Sequence, residues 1–146
     1  CRLFFAGVPD GGAGESLARE LHLERQVVFL GGRKDVPELL LAADLLVHPA
    51  RNEATGTVLA EAIAAGLPLI SSGVCGFRNF VEDAGCPVVA EPWNQGAFNR
   101  SLAEVLEHQD EYRERALKHA SEVDFCRRAD VAVDFMEQFA GKSRKK

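Results

Sequence analysis

The sequence is poor in the features that mark several large classes of protein. Its four cysteines form no CxxC pair and its aspartates form no Asp-x-Asp pair, so no spacing typical of a zinc or divalent-cation site is present. The richest apolar stretch, Leu39–Val47, is interrupted by Asp44 and falls well short of the roughly 20 residues that a membrane span needs. A net charge of −5 argues against a general nucleic-acid binder. We therefore predict a metal-independent globular protein, and the cysteine usage favours a reducing, cytosolic environment.

The chain does contain enough apolar material for one domain. It has 146 residues, of which 47% are hydrophobic, and a chain of this size buries roughly two-thirds of its unfolded surface without a disulfide. The sequence starts inside an apolar run, Cys1–Phe5, with no initiator Met and no signal peptide. We expect a single domain over residues 1–146 that is a fragment of a longer protein.

Short apolar runs alternate with helical patterns along the chain. Strands are predicted at Phe4–Val8, Gln26–Leu30, Leu45–His48, Leu67–Ser71 and Cys86–Val89. Helices are predicted at Ser16–Leu23, from Asp35 as N-cap to about Ala43, at Thr57–Ala65, at Phe77–Glu82, and in two or three pieces from Asn94 onward. Strands that are apolar throughout are typical of a parallel sheet with both faces covered. The pattern predicts an α/β fold, a doubly wound, Rossmann-like parallel sheet with helices on both faces and a helical C-terminal segment. Ligands bind such sheets beyond the carboxyl ends of the strands.

The segment 51–68 has the most informative pattern. Its helix begins near Gly56 or Thr57, where the N–H groups of the first turn form an anion site. Glu61 is the one charged residue between Val58 and Ala65. A helix that is apolar on all sides is a buried helix, and a buried carboxylate needs partners such as ribose hydroxyls. The alternative is an exposed Glu on a mostly buried helix. Glu53, in the preceding loop, suits sugar hydroxyls better than phosphate, and its alternative is a solvated loop residue.

Glu53 and Glu61 are separated by seven residues, and their surroundings resemble the E-x7-E signature of family 4 retaining glycosyltransferases. Those enzymes have the GT-B architecture, in which two Rossmann-like domains face a cleft. Further matching blocks lie at Leu3–Gly7 with Pro9–Gly11, at Val28–Gly31 and at Ala43–Pro49. The resemblance implies the C-terminal, donor-binding domain of such an enzyme, without that domain's first strand. Within the family, Gly32–Val36, Ala43–Ala50 and Val74–Phe77 resemble lipopolysaccharide core glucosyltransferases, which implies a UDP-glucose donor and an inner-core heptose acceptor.

The resemblance also implies roles for individual residues. Glu61 would bind the ribose hydroxyls and Glu53 the hydroxyls of the donor sugar, which makes Glu53 the catalytic position. The backbone that would contact the sugar and diphosphate is that of Ala54, Thr55, Gly56 and Thr57, with Val58 beside it. Arg33 would hold the base. The phosphate-clamping Arg and Lys of the family, and the N-terminal acceptor domain, would precede Cys1. Stabilising the leaving diphosphate would then be the main catalytic task.

Other functions remain open at this point. One is a non-catalytic nucleotide-sugar-binding module. Another is a receiver-like signalling domain, for which Asp10 is the candidate phosphoacceptor. Cys75 has no His near it in the sequence, so a catalytic thiol is not expected, and His48 is predicted to be structural. The basic tail, Lys142–Lys146, is either a solvated end or a segment attracted to anionic lipid at the cytoplasmic face of the inner membrane.

Overall fold

Strands and helices alternate in the computed structural model until two helices follow each other at its end; the structure describes residues 1–7 and 12–123. In chain order the elements are β1 (Leu3–Ala6), α1 (Ala13–Glu20), β2 (Val27–Gly31), α2 (Val36–Ala42), β3 (Leu46–His48), α3 (Thr57–Ala64), β4 (Leu69–Ser72), α4 (Arg78–Asp83), β5 (Val88–Val89), α5 (Gln95–Glu107) and α6 (Gln109–Glu122). The α/β class predicted from the apolar runs is confirmed. The predicted glycine turn at Pro9–Gly11, with Asp10, and the basic tail at Lys142–Lys146 lie outside the described residues.

The chain forms two compact units, Cys1–Leu39 and the residues from Leu40 onward. In the first unit β1 pairs with β2 in parallel, and the rings of Phe5 and Phe29 stack with their centroids 5.1 Å apart. In the second unit the strand order is β3-β4-β5, again parallel throughout. The predicted parallel pairing is therefore confirmed, and it is divided between a two-stranded and a three-stranded sheet.

The core of the second unit surrounds its central strand. Every residue of β4 is buried, and α3, α4 and α5 all contact this strand. Ile70 of β4 packs with Val89 and Phe98, and Trp93 lies against Phe98 with their ring centroids 5.0 Å apart. Helices that cover both faces are typical of a parallel strand that is buried along its whole length, as β4 is. Trp93 therefore packs at the edge of this core, just before α5.

Glycine and histidine residues in left-handed conformations move the ends of α1 away from their predicted positions. Gly12 has a φ of 89° as the N-cap, and its carbonyl accepts a hydrogen bond from the Ser16 N–H at 2.9 Å. The helix therefore begins at Ala13, not at Ser16 as predicted. It ends at Glu20, before the predicted Leu23, because His22 adopts a φ of 55° and the chain turns out of the helix.

Asp35 occupies the predicted N-cap position of α2 but does not cap the helix with its side chain as expected. Its carbonyl accepts the N–H of Leu39 at 3.1 Å. Its carboxylate binds Arg33 instead, with 2.7 Å between Nε and Oδ1. The guanidinium donates two charge-assisted hydrogen bonds to the carboxylate in parallel, which a single backbone N–H cannot do, and this accounts for the difference.

Candidate functional site

The start of α3 presents backbone N–H groups at the carboxyl end of β3. Gly56 is the N-cap, with a left-handed φ of 69°, and no side-chain group caps the helix. Its carbonyl accepts the N–H of Leu59 at 3.0 Å. Among the described residues, nothing accepts a hydrogen bond from the N–H groups of Thr57 and Val58. These two donors and the positive end of the helix dipole together make an anion site.

The Glu53 carboxylate lies directly beside this helix start. Glu53 is half-buried, and its Oε1 accepts hydrogen bonds from the N–H groups of Thr55 and Gly56, each at 3.3 Å. The family resemblance implies that both of these N–H groups contact the sugar or the diphosphate. Since Glu53 holds them here, the amides open to an anion begin at Thr57. The same two bonds fix the orientation of the Glu53 side chain.

Glu61 lies on the exposed side of α3, so the expectation that it is buried is wrong. The buried residues of the helix are Leu59, Ala62 and Ile63, whereas Thr57, Glu61 and Ala64 are exposed. The pattern of apolar residues led to a wrong prediction because it includes alanines, which are apolar but can be exposed at little cost in free energy. Thr57 and Glu61 are four residues apart and share this face. The Glu61 carboxylate is therefore accessible one helical turn beyond the first amides.

Cys75 does have a histidine beside it, contrary to expectation. Its Sγ lies 3.5 Å from Nδ1 of His48, although the two residues are 27 positions apart. Cys75 is 2% exposed. Burial is the main cause that raises the pKa of its thiol. A hydrogen bond with Ser72 opposes this in part, and the nearby Glu53 charge adds a smaller increase. Because the nucleophilic form is the thiolate, this environment does not support a catalytic thiol.

Arg33 belongs to the first unit, apart in the chain from the other predicted site residues. It forms a two-pronged ion pair with Asp35 on the surface. The hydrogen bond between them raises the pKa of Arg33 and lowers that of Asp35. The predicted residues that the structure brings together are those of one loop and one helix of the second unit: Glu53, Ala54, Thr55, Gly56, Thr57, Val58 and Glu61.

Neither a metal cluster nor a membrane-spanning helix occurs in the part of the chain that the structure describes. Residues 1–7 and 12–123 contain no group of three or more His, Cys, Asp or Glu side chains placed to hold a metal ion. None of the helices within those residues is both long enough and apolar enough to cross a bilayer.

Residues 1–123 match the family model described as glycosyl transferases group 1. The chain is 40% identical over 138 residues to the lipopolysaccharide glucosyltransferase WaaG of Escherichia coli (strain K12). A crystal structure of WaaG, a glycosyltransferase involved in lipopolysaccharide biosynthesis, aligns with a TM-score of 0.79 and 42% identity over 84% of this chain and 34% of that one. The structure of Anabaena HepE in complex with UDP aligns with a TM-score of 0.66 and 25% identity, over 83% of this chain and 36% of the HepE chain.

The match to WaaG includes 92% of this chain but 37% of the relative. The chain therefore spans little more than a third of the length of that relative.

Proposed function

The chain belongs to the glycosyl transferases group 1 family, and from this we propose that it is the nucleotide-sugar-binding domain of a retaining glycosyltransferase. The observation that carries the proposal is the exposed side of α3, where the N–H groups of Thr57 and Val58 lie one turn from the Glu61 carboxylate. A helix N-terminus favours a diphosphate. An ionised carboxylate accepts hydrogen bonds from hydroxyls, such as those of a ribose.

In the proposed complex each part of the donor has its own partner. The diphosphate lies on the N–H groups of Thr57 and Val58, beside the backbone of Ala54–Gly56, and the ribose hydroxyls donate to Glu61. Glu53 accepts hydrogen bonds from the donor sugar and is the catalytic position, and Arg33 contacts the base. Negative charge grows on the diphosphate as it leaves, so donors aimed at it stabilise the transition state as well as the bound donor.

The proposed substrates follow from the relatives. The Escherichia coli relative is named a lipopolysaccharide glucosyltransferase, and the HepE structure contains UDP. We propose that glucose is transferred from UDP-glucose to the heptose of the lipopolysaccharide inner core. The activity belongs to a two-domain protein in which this chain faces an N-terminal acceptor domain. That protein acts in the cytoplasm, in peripheral contact with the inner membrane, and requires no metal ion.

The test is a calorimetric titration of the chain with UDP-glucose in the presence of EDTA. We expect the wild type to bind and Glu61→Ala to bind at least about tenfold more weakly, because each hydrogen bond to the charged carboxylate is worth about 1.5–3 kcal/mol. Glu114→Ala is the matched control, since Glu114 is an exposed helical glutamate of α6 and has no role in the proposed site. Equal binding by Glu61→Ala and wild type would refute the ribose role, and binding that needs added Mg²⁺ or Mn²⁺ would refute metal independence.

A further inference from the structure

We propose that residues 75–77 of the β4–α4 loop, together with His48, hold the β3–α3 loop in the conformation that binds the donor. Gly76, Cys75 and His48 are then positioning residues for Glu53 and for the first turn of α3. This inference rests on the proposed function, because it concerns how the donor-binding backbone is shaped. It assigns a purpose to the His48–Cys75 contact and to Gly76, which the donor-binding roles leave unexplained.

Backbone groups of the two loops are bonded directly to each other. The N–H of Phe77 donates to the carbonyl of Thr55 at 3.0 Å. At the base of the loops, the Ser72 hydroxyl donates to the carbonyl of Ala50. The β3–α3 loop is thus hydrogen-bonded near one end to the last residue of β4 and near the other end to the loop that follows β4. Thr55 thus connects the two contacts: its carbonyl accepts the bond from Phe77, and its N–H is one of the two that orient Glu53.

Gly76 allows the two backbones to approach more closely than a side chain would permit. A Cβ atom at this position would lie 2.7 Å from the carbonyl oxygen of Ala54 and 3.3 Å from Cα of Thr55. Both neighbours are backbone atoms and cannot rotate aside. Any larger residue at position 76 must therefore displace the Ala54–Thr55 backbone. Glycine is required at position 76 because the two backbones approach closely there, not because of its φ angle.

Cys75 and His48 form the second attachment. A Cβ at Gly56 would lie 3.3 Å from Cβ of Cys75, so the cysteine packs against the N-cap of α3. His48 ends β3 and meets Sγ of Cys75 at 3.5 Å. The contact therefore joins the end of β3 to the β4–α4 loop. Because burial raises the pKa of the thiol, Cys75 stays neutral and adds no negative charge next to Glu53.

These contacts determine where the donor-binding groups point. Glu53 and the N–H groups of Thr57 and Val58 lie on the backbone that residues 75–77 hold. A loop that is held in its bound conformation loses less conformational entropy when the ligand binds, so preorganisation of the loop increases affinity. Loosening the attachment should therefore weaken donor binding without removing any group that touches the donor.

The experiment compares four variants of the 146-residue chain by amide hydrogen exchange and by UDP-glucose titration. Gly76→Ala and His48→Ala are expected to speed exchange at the N–H groups of Thr55 and Gly56 and to weaken UDP-glucose binding by at least about tenfold. Gly73→Ala is the control in the same loop. Its Cβ would lie 3.3 Å from the carbonyl oxygen of Val89, on the β5 side, so it should change neither measurement. His48→Asn keeps a polar group near the Nδ1 position and should restore binding close to that of the wild type.

The two readouts separate the two proposals. Unchanged exchange at Thr55 and Gly56 in folded His48→Ala would overturn the positioning role, as would equal losses of affinity in His48→Ala and Gly73→Ala. If Gly76→Ala does not fold, His48→Ala and Cys75→Ala test the same attachment from its other side. Wild-type chain that binds no UDP-glucose, while exchange at Thr55 and Gly56 still responds to His48→Ala, would refute the proposed function and leave the loop attachment established.

Discussion

The two units use the same kind of apolar strand but bury it to very different extents. In the first unit, Leu3, Phe4 and Phe5 of β1 are 42%, 55% and 50% exposed. In the second unit, Leu69 and Ile70 of β4 are both 0% exposed. The residues Leu3–Ala6 in β1, and Leu69 and Ile70 before the two serines of β4, are apolar without alternation, a pattern typical of strands with both faces covered. The difference teaches that the pattern identifies a strand reliably but does not say which part of the molecule covers it.

The largest expected effect comes from deleting a side chain in the buried strand. Ile70→Ala should lower the free energy of unfolding by about 2–5 kcal/mol, because the substitution leaves a cavity in a closely packed core. Phe4→Ala in β1 should cost about 1 kcal/mol or less, since the ring is 55% exposed. Denaturant unfolding of both variants measures the contrast. A cost for Phe4→Ala that matches Ile70→Ala and grows with protein concentration would indicate that β1 is covered by self-association.

A pair of glycines sharpens the comparison at a smaller scale. Gly31 in the first unit and Gly66 in the second have nearly equal φ angles, 65° and 67°. A Cβ at Gly31 would meet nothing within 4 Å, whereas at Gly66 it would lie 2.2 Å from Cδ2 of Leu117. Gly31→Ala should cost the roughly 1–2 kcal/mol of a left-handed alanine. Gly66→Ala should cost about 1 kcal/mol more, because Leu117 must move. Equal losses in denaturant unfolding would show that Leu117 moves freely.

The smallest effect is expected on the surface of the first unit. Asp35→Asn removes the ion pair with Arg33, but both side chains are solvated, so the melting temperature at pH 7 should not change measurably. Arg33 lowers the pKa of Asp35. Any stabilisation by the pair is therefore present above the unfolded-state pKa of about 3.9 and is lost as pH falls through the lower folded-state value. Melting curves of wild type and Asp35→Asn between neutral and acidic pH check this. A clear difference at pH 7 would contradict it.

Most of the fold could be predicted because its signals are local. Five apolar runs correspond to five strands, and the helical segment predicted from Asn94 onward begins there, with the Asn94 side chain accepting the N–H of Ala97 at 2.8 Å. The ends of α1 could not be predicted, since they depend on the left-handed conformation of Gly12 and of His22. A histidine seldom adopts that conformation, and nothing in the sequence near it indicates that it will.

The sequence predicts which loop and helix form the candidate site but not the contacts within it. The anion site at Gly56 and the start of α3 is predicted from sequence because helix N-termini depend on local residues. The exposure of Glu61 and the bonds that Glu53 makes depend on side-chain packing. The His48–Cys75 contact was missed for a topological reason, since it joins residues 27 positions apart. One signal was available: His48 ends one predicted strand and Cys75 follows the next, and neighbouring parallel strands end at the same edge of a sheet.

The strand order of the second unit also bears on how the protein reaches its native state. Because β3, β4 and β5 neighbour one another in the order in which they occur along the chain, each pairing closes only the stretch that contains one helix. The entropy lost in closing a loop rises with the logarithm of its length, so each of these strand pairings costs little entropy. Pairings between elements close in sequence are associated with rapid folding. The sheet that supports the start of α3 can therefore assemble by successive local closures, as each new strand docks on the one before it.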